Sequence, residues 1–141
     1  MTTAFITAVM NLVFRQIATS GVTNASNWYV AMFYNVPSLD GTTAPNEVAI
    51  GTTTGYARLA ISRSTTSPAL SAPSNGTVSN INALQFAPAA TAYNSPIQSI
   101  GIFSAATGGT LLMVSELTTY KTIEQGDYGF FNAGGIQFTM S

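Results

Sequence analysis

The stretch Trp28-Tyr29-Val30-Ala31-Met32-Phe33-Tyr34 decides how the rest of the chain is read. It is aromatic and β-branched, which suits a pleated strand buried on at least one face. The segment before it has a different rhythm. From position 3 to about 19, Phe5, Ile6, Val9, Met10, Val13, Phe14 and Ile17 recur at three- and four-residue spacing, a helical period. Thr2 or Thr3 can cap the start and Ser20-Gly21 supplies a stop, so an N-terminal helix is expected over 1–20. After Gly21 the helical period does not return.

Outward from the aromatic strand, turn residues divide the chain into short segments. Gly55-Tyr56-Ala57-Arg58-Leu59-Ala60-Ile61-Ser62 reads as a second strand, with Tyr56, Arg58 and Ala60 on one face and Ala57, Leu59 and Ile61 on the other. Further strands are expected over 78–81, 83–86 and 97–103. Gly108-Gly109 then closes a hairpin onto 110–115. Strands over 118–123, 128–132 and 135–140 complete the series, with a turn at Gln125-Gly126-Asp127. In the last of them Ile136, Phe138 and Met140 alternate with Gln137 and Thr139, a period of two. Two long polar loops interrupt the series. The first, 35–46, holds Pro37, Asp40-Gly41 and Pro45; the second, 65–76, holds Pro68, Pro73 and Asn75-Gly76. One helix followed by eight or nine short strands, without βαβ alternation, predicts an all-β antiparallel sandwich or barrel. It is expected as a single domain, with the helix at 1–20 and the strands over 27–141.

Composition restricts what such a domain does. Of 141 residues, nine are charged (Lys+Arg 4, Asp+Glu 5), and there is neither histidine nor cysteine. Average domains devote about a quarter of their residues to these charges. A chain of this size exposes about 7,000 Å², so its surface must be mostly hydroxyl, amide and small apolar groups. Such a surface suits a protein surrounded by partners, including copies of itself. Net charge −1 and the dispersed Arg15, Arg58, Arg63 and Lys121 argue against nucleic-acid binding. No apolar run reaches the ~18 residues of a membrane span. The apolar run 4–14 lacks a basic residue before it and is expected as a retained helix, not a signal peptide.

Catalytic constellations are missing. Without histidine the usual general base is absent, and without cysteine the thiolate nucleophile and soft metal ligand are absent. Lys121 is the sole side-chain amine, and no motif surrounds it. Among the carboxylates Asp40, Glu47, Glu116, Glu124 and Asp127, the pair Glu124/Asp127 flanks Gly126 and reads as a solvated turn. Asp40 with backbone carbonyls offers a bare calcium possibility, but EF-hand spacing is absent. No enzyme activity, cofactor or metal is expected. Arg58 is expected to pair with a carboxylate or carbonyl and to lay its stem on Tyr56. Trp28 is expected in the core, whereas a lectin-like module would need it exposed.

Gly55-Tyr56-Ala57-Arg58, Ala105-Ala106-Thr107-Gly108-Gly109-Thr110-Leu111-Leu112 and Leu117-Thr118-Thr119-Tyr120-Lys121-Thr122-Ile123-Glu124-Gln125-Gly126-Asp127 carry a family likeness. Together with the aromatic strand and Ala83-Leu84-Gln85-Phe86, they make the chain resemble small virion proteins of tailed bacteriophages. These are of the jelly-roll cement or decoration type, often labelled tail-fibre proteins. The resemblance implies a jelly-roll sandwich that binds the major capsid protein and itself, as a dimer or trimer. That places it on the capsid exterior, assembled in the host cytoplasm and clamping neighbouring capsomers. The alternative is a tail or tail-fibre component used in host adsorption. Interface residues are expected on the helix and both long loops: Phe5, Val9, Pro37, Leu39, Pro45, Pro68, Leu70 and Pro73.

Overall fold

Strand β1 (Asn27–Phe33) is where the fold is anchored: from Val30 to Phe33 every side chain is buried, and so is Trp28. A computed structural model describes residues 26–63 and 69–139. The helix expected over 1–20, with Phe5 and Val9, lies outside the described residues, as does Pro68. Strands β2 (Leu59–Ser62), β3 (Thr77–Ser79), β4 (Leu84–Gln85), β5 (Ile97–Phe103), β6 (Leu111–Lys121), β7 (Phe130–Phe131) and β8 (Gln137–Thr139) follow. They form a four-stranded sheet in the order β2-β1-β5-β6 and two small sheets, β3-β8 and β4-β7. The pairs β1·β5, β5·β6 and β3·β8 are antiparallel. Among the described residues the chain is all-β, as the strand pattern predicts and as a sandwich requires.

Two compact units emerge. One comprises Trp28–Ala60 and Gln85–Phe130; the other draws, among the described residues, on 26–27, 61–63, 69–84 and 131–139. The core of the first unit follows from the β1–β5 register. Tyr29 lies opposite Phe103, Ala31 opposite Gly101 and Phe33 opposite Ser99, so these side chains share one face. Ala31, Phe33 and Phe103 are buried together, with Tyr29 and Leu111 packed against them. The Phe33 and Phe103 rings meet with centroids 6.0 Å apart. Phe33 fits because Gly101 carries no side chain: a Cβ there would lie 2.6 Å from Phe33 Cε2 and 2.8 Å from Leu111 Cδ1. Gly101→Ala is therefore expected to destabilise by about 1–3 kcal/mol through overpacking. The measurement is a lower urea midpoint at unchanged m-value.

Strand β6 corrects one detail of the sequence reading. Positions 110–115 and 118–123 were expected as separate strands, but Leu111–Lys121 is one continuous strand. Glu116-Leu117 contains no turn-forming residue, so the chain absorbs its extra length inside the ladder. Ser99 pairs with Glu116 while Ile97 pairs with Lys121, so two steps along β5 face five along β6. That is a bulge in an edge strand, which blunts further pairing.

In the second unit Asn80 is almost fully buried and carries five hydrogen bonds. Its Nδ2 donates to the carbonyls of Asn82 and Asn132, both at 2.8 Å. Its Oδ1 accepts from the Ile136 amide at 2.8 Å. Its own amide donates to the Ile136 carbonyl, and its carbonyl accepts from Gly134. One side chain thus satisfies the backbone where the segment after β3 meets the approach to β8.

Candidate functional site

The phrase Gly55-Tyr56-Ala57-Arg58 opens on a tight turn. The Gly55 amide donates to the Gly51 carbonyl, and the Gly51 amide to the Tyr56 carbonyl. Gly55 has φ +71°, and a Cβ there would sit 2.8 Å from the Pro88 carbonyl oxygen, so only glycine fits. The turn drives Tyr56 into the core of the first unit. Its ring stacks on Phe86 at 5.9 Å and meets Tyr93 edge-on at 6.4 Å. The phenol oxygen accepts from the Met32 amide at 2.9 Å and donates to Glu47 Oε1 at 3.1 Å. Burial, reinforced by the Glu47 charge, pushes the Tyr56 phenol far above its ordinary value, so it stays a protonated donor.

Arg58 completes the cluster. Glu47 is held beside β1 by a bridge with Phe33. There it receives Arg58 Nε on Oε1 at 2.8 Å and Nη2 on Oε2 at 2.7 Å, a two-pronged ion pair. The Arg58 Nη1 donates to the carbonyls of Ala105 (2.8 Å) and Gly108 (2.6 Å). Its guanidinium carbon lies 3.4 Å from the centre of the Phe103 ring, a cation–π contact. The expectation that Arg58 pairs with a carboxylate or a carbonyl is met by both at once. The ring beneath the guanidinium is Phe103, where the sequence suggested Tyr56 under the stem. Two phrases singled out for family likeness, 55–58 and 105–112, are thus fastened together by one side chain. Both oxygens of Glu47 are occupied by donors, so the cluster is a clamp that fixes the 104–110 loop.

The loop over 35–46 is ordered by its own hydrogen bonds. Asn35 Nδ2 donates to the Ala44 carbonyl, and the Asn46 amide donates to Asn35 Oδ1. Nearer the tip the Ser38 amide donates to the Thr43 carbonyl, and the Thr43 amide to Ser38 Oγ. Asp40 Oδ1 accepts from the Thr42 amide and hydroxyl. Hydrogen bonding from Ser38 and then from the Thr42 amide and hydroxyl holds the Asp40 carboxyl at about 2, below the ordinary 3.8. A lowered folded-state value means that this contribution is complete above the ordinary value and is lost as pH falls through about 2. The Thr42 and Thr43 amide shifts should accordingly stay constant through pH 4 and move only near pH 2. Titration near 3.8 would mean that the loop is open in solution.

The expected interface residues fall into three groups. Leu39, at the tip of this loop, is 60% exposed, and Pro45 is exposed with it. Pro73 is half-buried. Pro37 and Leu70 are buried in the chain itself. Leu70 turns inward because its segment is zipped beside β3. Leu70 bridges Asn80, and the Ser71 amide donates to the Ser79 carbonyl.

The charges are distributed unevenly. Glu47 and Arg58 neutralise each other beneath the surface, and Arg63 is buried. Among the described residues the exposed ionisable side chains other than tyrosine are Asp40, Glu116, Lys121, Glu124 and Asp127. Trp28 is buried, as expected. Sequence reasoning counted Glu47 among the carboxylates without finding its partners. It also placed Tyr128 and Phe130 in one strand over 128–132; Phe130 does open β7, Tyr128 lies just before it, and each is 48% exposed. Among the described residues no cluster of three His, Cys, Asp or Glu side chains exists that could hold a metal.

Comparison with known proteins supplies one match. Residues 1–139 match a family described as Podophage GP4 fiber I protein gp80. No curated protein matches the chain.

Proposed function

We propose a role from one premise: the chain belongs to the podophage GP4 fiber I protein gp80 family and is a structural protein of a tailed-phage virion. Within the virion it acts as a fibre subunit attached at the tail, and its work is mechanical, not catalytic. The observation that carries this reading is the family match, which runs along nearly the whole chain and not over one module. Two features support it physically. A surface with few ionised groups packs against other virion proteins without the cost of desolvating charge. The pre-ordered loop over 35–46 presents Leu39 with little ordering entropy left to lose on contact.

Capsid cement makes the same use of a neutral surface, so location and copy number separate the two roles. Antibody labelling of virions, combined with gel densitometry of the purified particle, should place a small number of copies on the tail. Hundreds of copies spread over the head would overturn the fibre assignment in favour of cement.

A further inference from the structure

We propose that the segment Glu124-Gln125-Gly126-Asp127-Tyr128-Gly129-Phe130 is a binding site for a neutral, polyhydroxylated glycan, built on the paired rings of Tyr128 and Phe130. Aromatic side chains bury about 150–250 Å² each when covered. Yet these two, both in the first unit, are each 48% exposed, and among the described residues Leu39 is the one large apolar side chain more exposed than they are. Their rings meet edge to face, with centroids 6.5 Å apart and planes at 74°. One ring therefore stands as a wall beside the other, an open corner and not a collapsed stack.

The corner is held rigidly. Gly129, between the two rings, packs against Met32 and Phe86; a Cβ there would approach both to 3.1 Å. The Phe86 amide donates to the Gly129 carbonyl, and the Ala89 amide to the Asp127 carbonyl. With position 129 pressed on the core, 128 and 130 project to the other side. The turn before them is fastened as well. The Gly126 amide donates to the Ala89 carbonyl, Gln125 Nε2 to the Ala90 carbonyl, and the Glu124 amide to Asp127 Oδ2. Little conformational entropy remains to be lost when a ligand settles there.

The chemistry around the corner selects the ligand. Glu124 and Asp127 are exposed carboxylates. Among the described residues the Glu124 carboxylate and Asp127 Oδ1 have no partner within the chain. They are acceptors only, so they call for hydroxyl or amide donors. The negative faces of the rings attract the weakly positive C–H face of a pyranose. An anionic ligand is repelled by the two carboxylates. A permanent protein partner is disfavoured because interface cores exclude Asp and Glu. A neutral sugar meets both demands, with C–H groups for the rings and hydroxyls for the carboxylates. The inference rests on the fibre reading only for the source of the glycan, the surface of the bacterial host.

Saturation-transfer NMR on the full purified chain with surface polysaccharide isolated from the host strain tests the site. Saturation should reach the pyranose ring C–H protons of the polysaccharide. Tyr128→Ser combined with Phe130→Ser should weaken binding by about tenfold or more. Ile81→Ser, at another exposed apolar side chain, should leave it unchanged. Because each ring is already 48% exposed, the double variant should lose only part of the stability of two buried rings. It should keep a cooperative melt within about 10 °C of the parent, so a loss of binding is not a loss of fold. Absence of transfer to the parent protein, or equal transfer to the double variant, would overturn the glycan site while leaving tail location untouched. Binding that depends on the two rings in a protein found on the head would uphold the site and overturn the fibre role.

Discussion

Replacing Arg58 with alanine is expected to cost the first unit about 3–5 kcal/mol, the usual consequence of breaking a buried ion pair from one side. The Arg58 side chain is 4% exposed and that of Glu47 16%, so water does not readily replace what is lost. The Glu47 carboxylate would be left with Tyr56 as its remaining side-chain donor, and the carbonyls of Ala105 and Gly108 would lose theirs. Local and global effects can be told apart by amide exchange. The Thr110 amide donates to Ser104 Oγ, and the Ser104 amide to the Thr110 carbonyl. Both should exchange faster in the variant even under strongly native conditions, because the 104–110 loop is no longer tied from beneath. Arg58→Lys keeps the charge but not the fork, and should recover only part of the loss. A double-mutant cycle between Arg58→Ala and Glu47→Gln should give a coupling of about 2 kcal/mol. Stability within about 0.5 kcal/mol of the parent would show that the clamp is solvated and that the loop holds itself.

The second large effect is expected at Asn80, in the other unit. Asn80→Leu supplies apolar volume but strands the Ile136 amide and the carbonyls of Asn82 and Asn132. Each buried group left without a partner costs about 1–3 kcal/mol, so a loss of about 3 kcal/mol or more is expected by urea unfolding. Asn80→Asp separates the roles of the two ends of the side chain. The carboxyl can still accept from Ile136, but it turns negative charge toward two carbonyls. Burial and those carbonyls raise its folded-state pKa above the unfolded value. The penalty from ionisation is then full at neutral pH, shrinks as pH falls through the raised value and is gone below about 4. What remains is the smaller cost of one carbonyl without a donor, because a neutral carboxyl donates once where the amide donates twice. Stability of this variant should therefore rise relative to the parent on acidification. An Asp variant as stable as the parent at neutral pH would show that water, and not Asn80, satisfies this backbone.

These two clusters rest on residue types that look ordinary in sequence. Arginine and asparagine commonly face solvent, and here both are enclosed because their partners arrive from distant segments. Glu47 lies 11 positions from Arg58, while Ala105 and Gly108 lie 47 and 50 away. Asn80 reaches Asn132 across 52 positions and Ile136 across 56. A chain with so few charges spends one ion pair underneath, on its own loop, and leaves 116–127 as the stretch where four of its exposed charges gather. That contrast between a neutral exterior and one ionised, aromatic segment separates surfaces suited to packing from the corner suited to a soluble ligand.

The sequence by itself determined the strand content, the position of β1, the hairpin at Gly108-Gly109, the burial of Trp28 and the polar loop over 35–46. Each depends on information local to a few residues: a period of two, β-branching, or a glycine or proline that bends the chain. Tertiary structure alone decided that Leu70 faces inward, that Glu116-Leu117 carries β6 through a bulge without a break, and that Arg58 joins two separate loops. It also decided that Tyr128 and Phe130 stay in water. Those outcomes depend on which segments lie opposite each other, and strand pairing is a choice made between residues far apart in the chain, to which local pattern is blind.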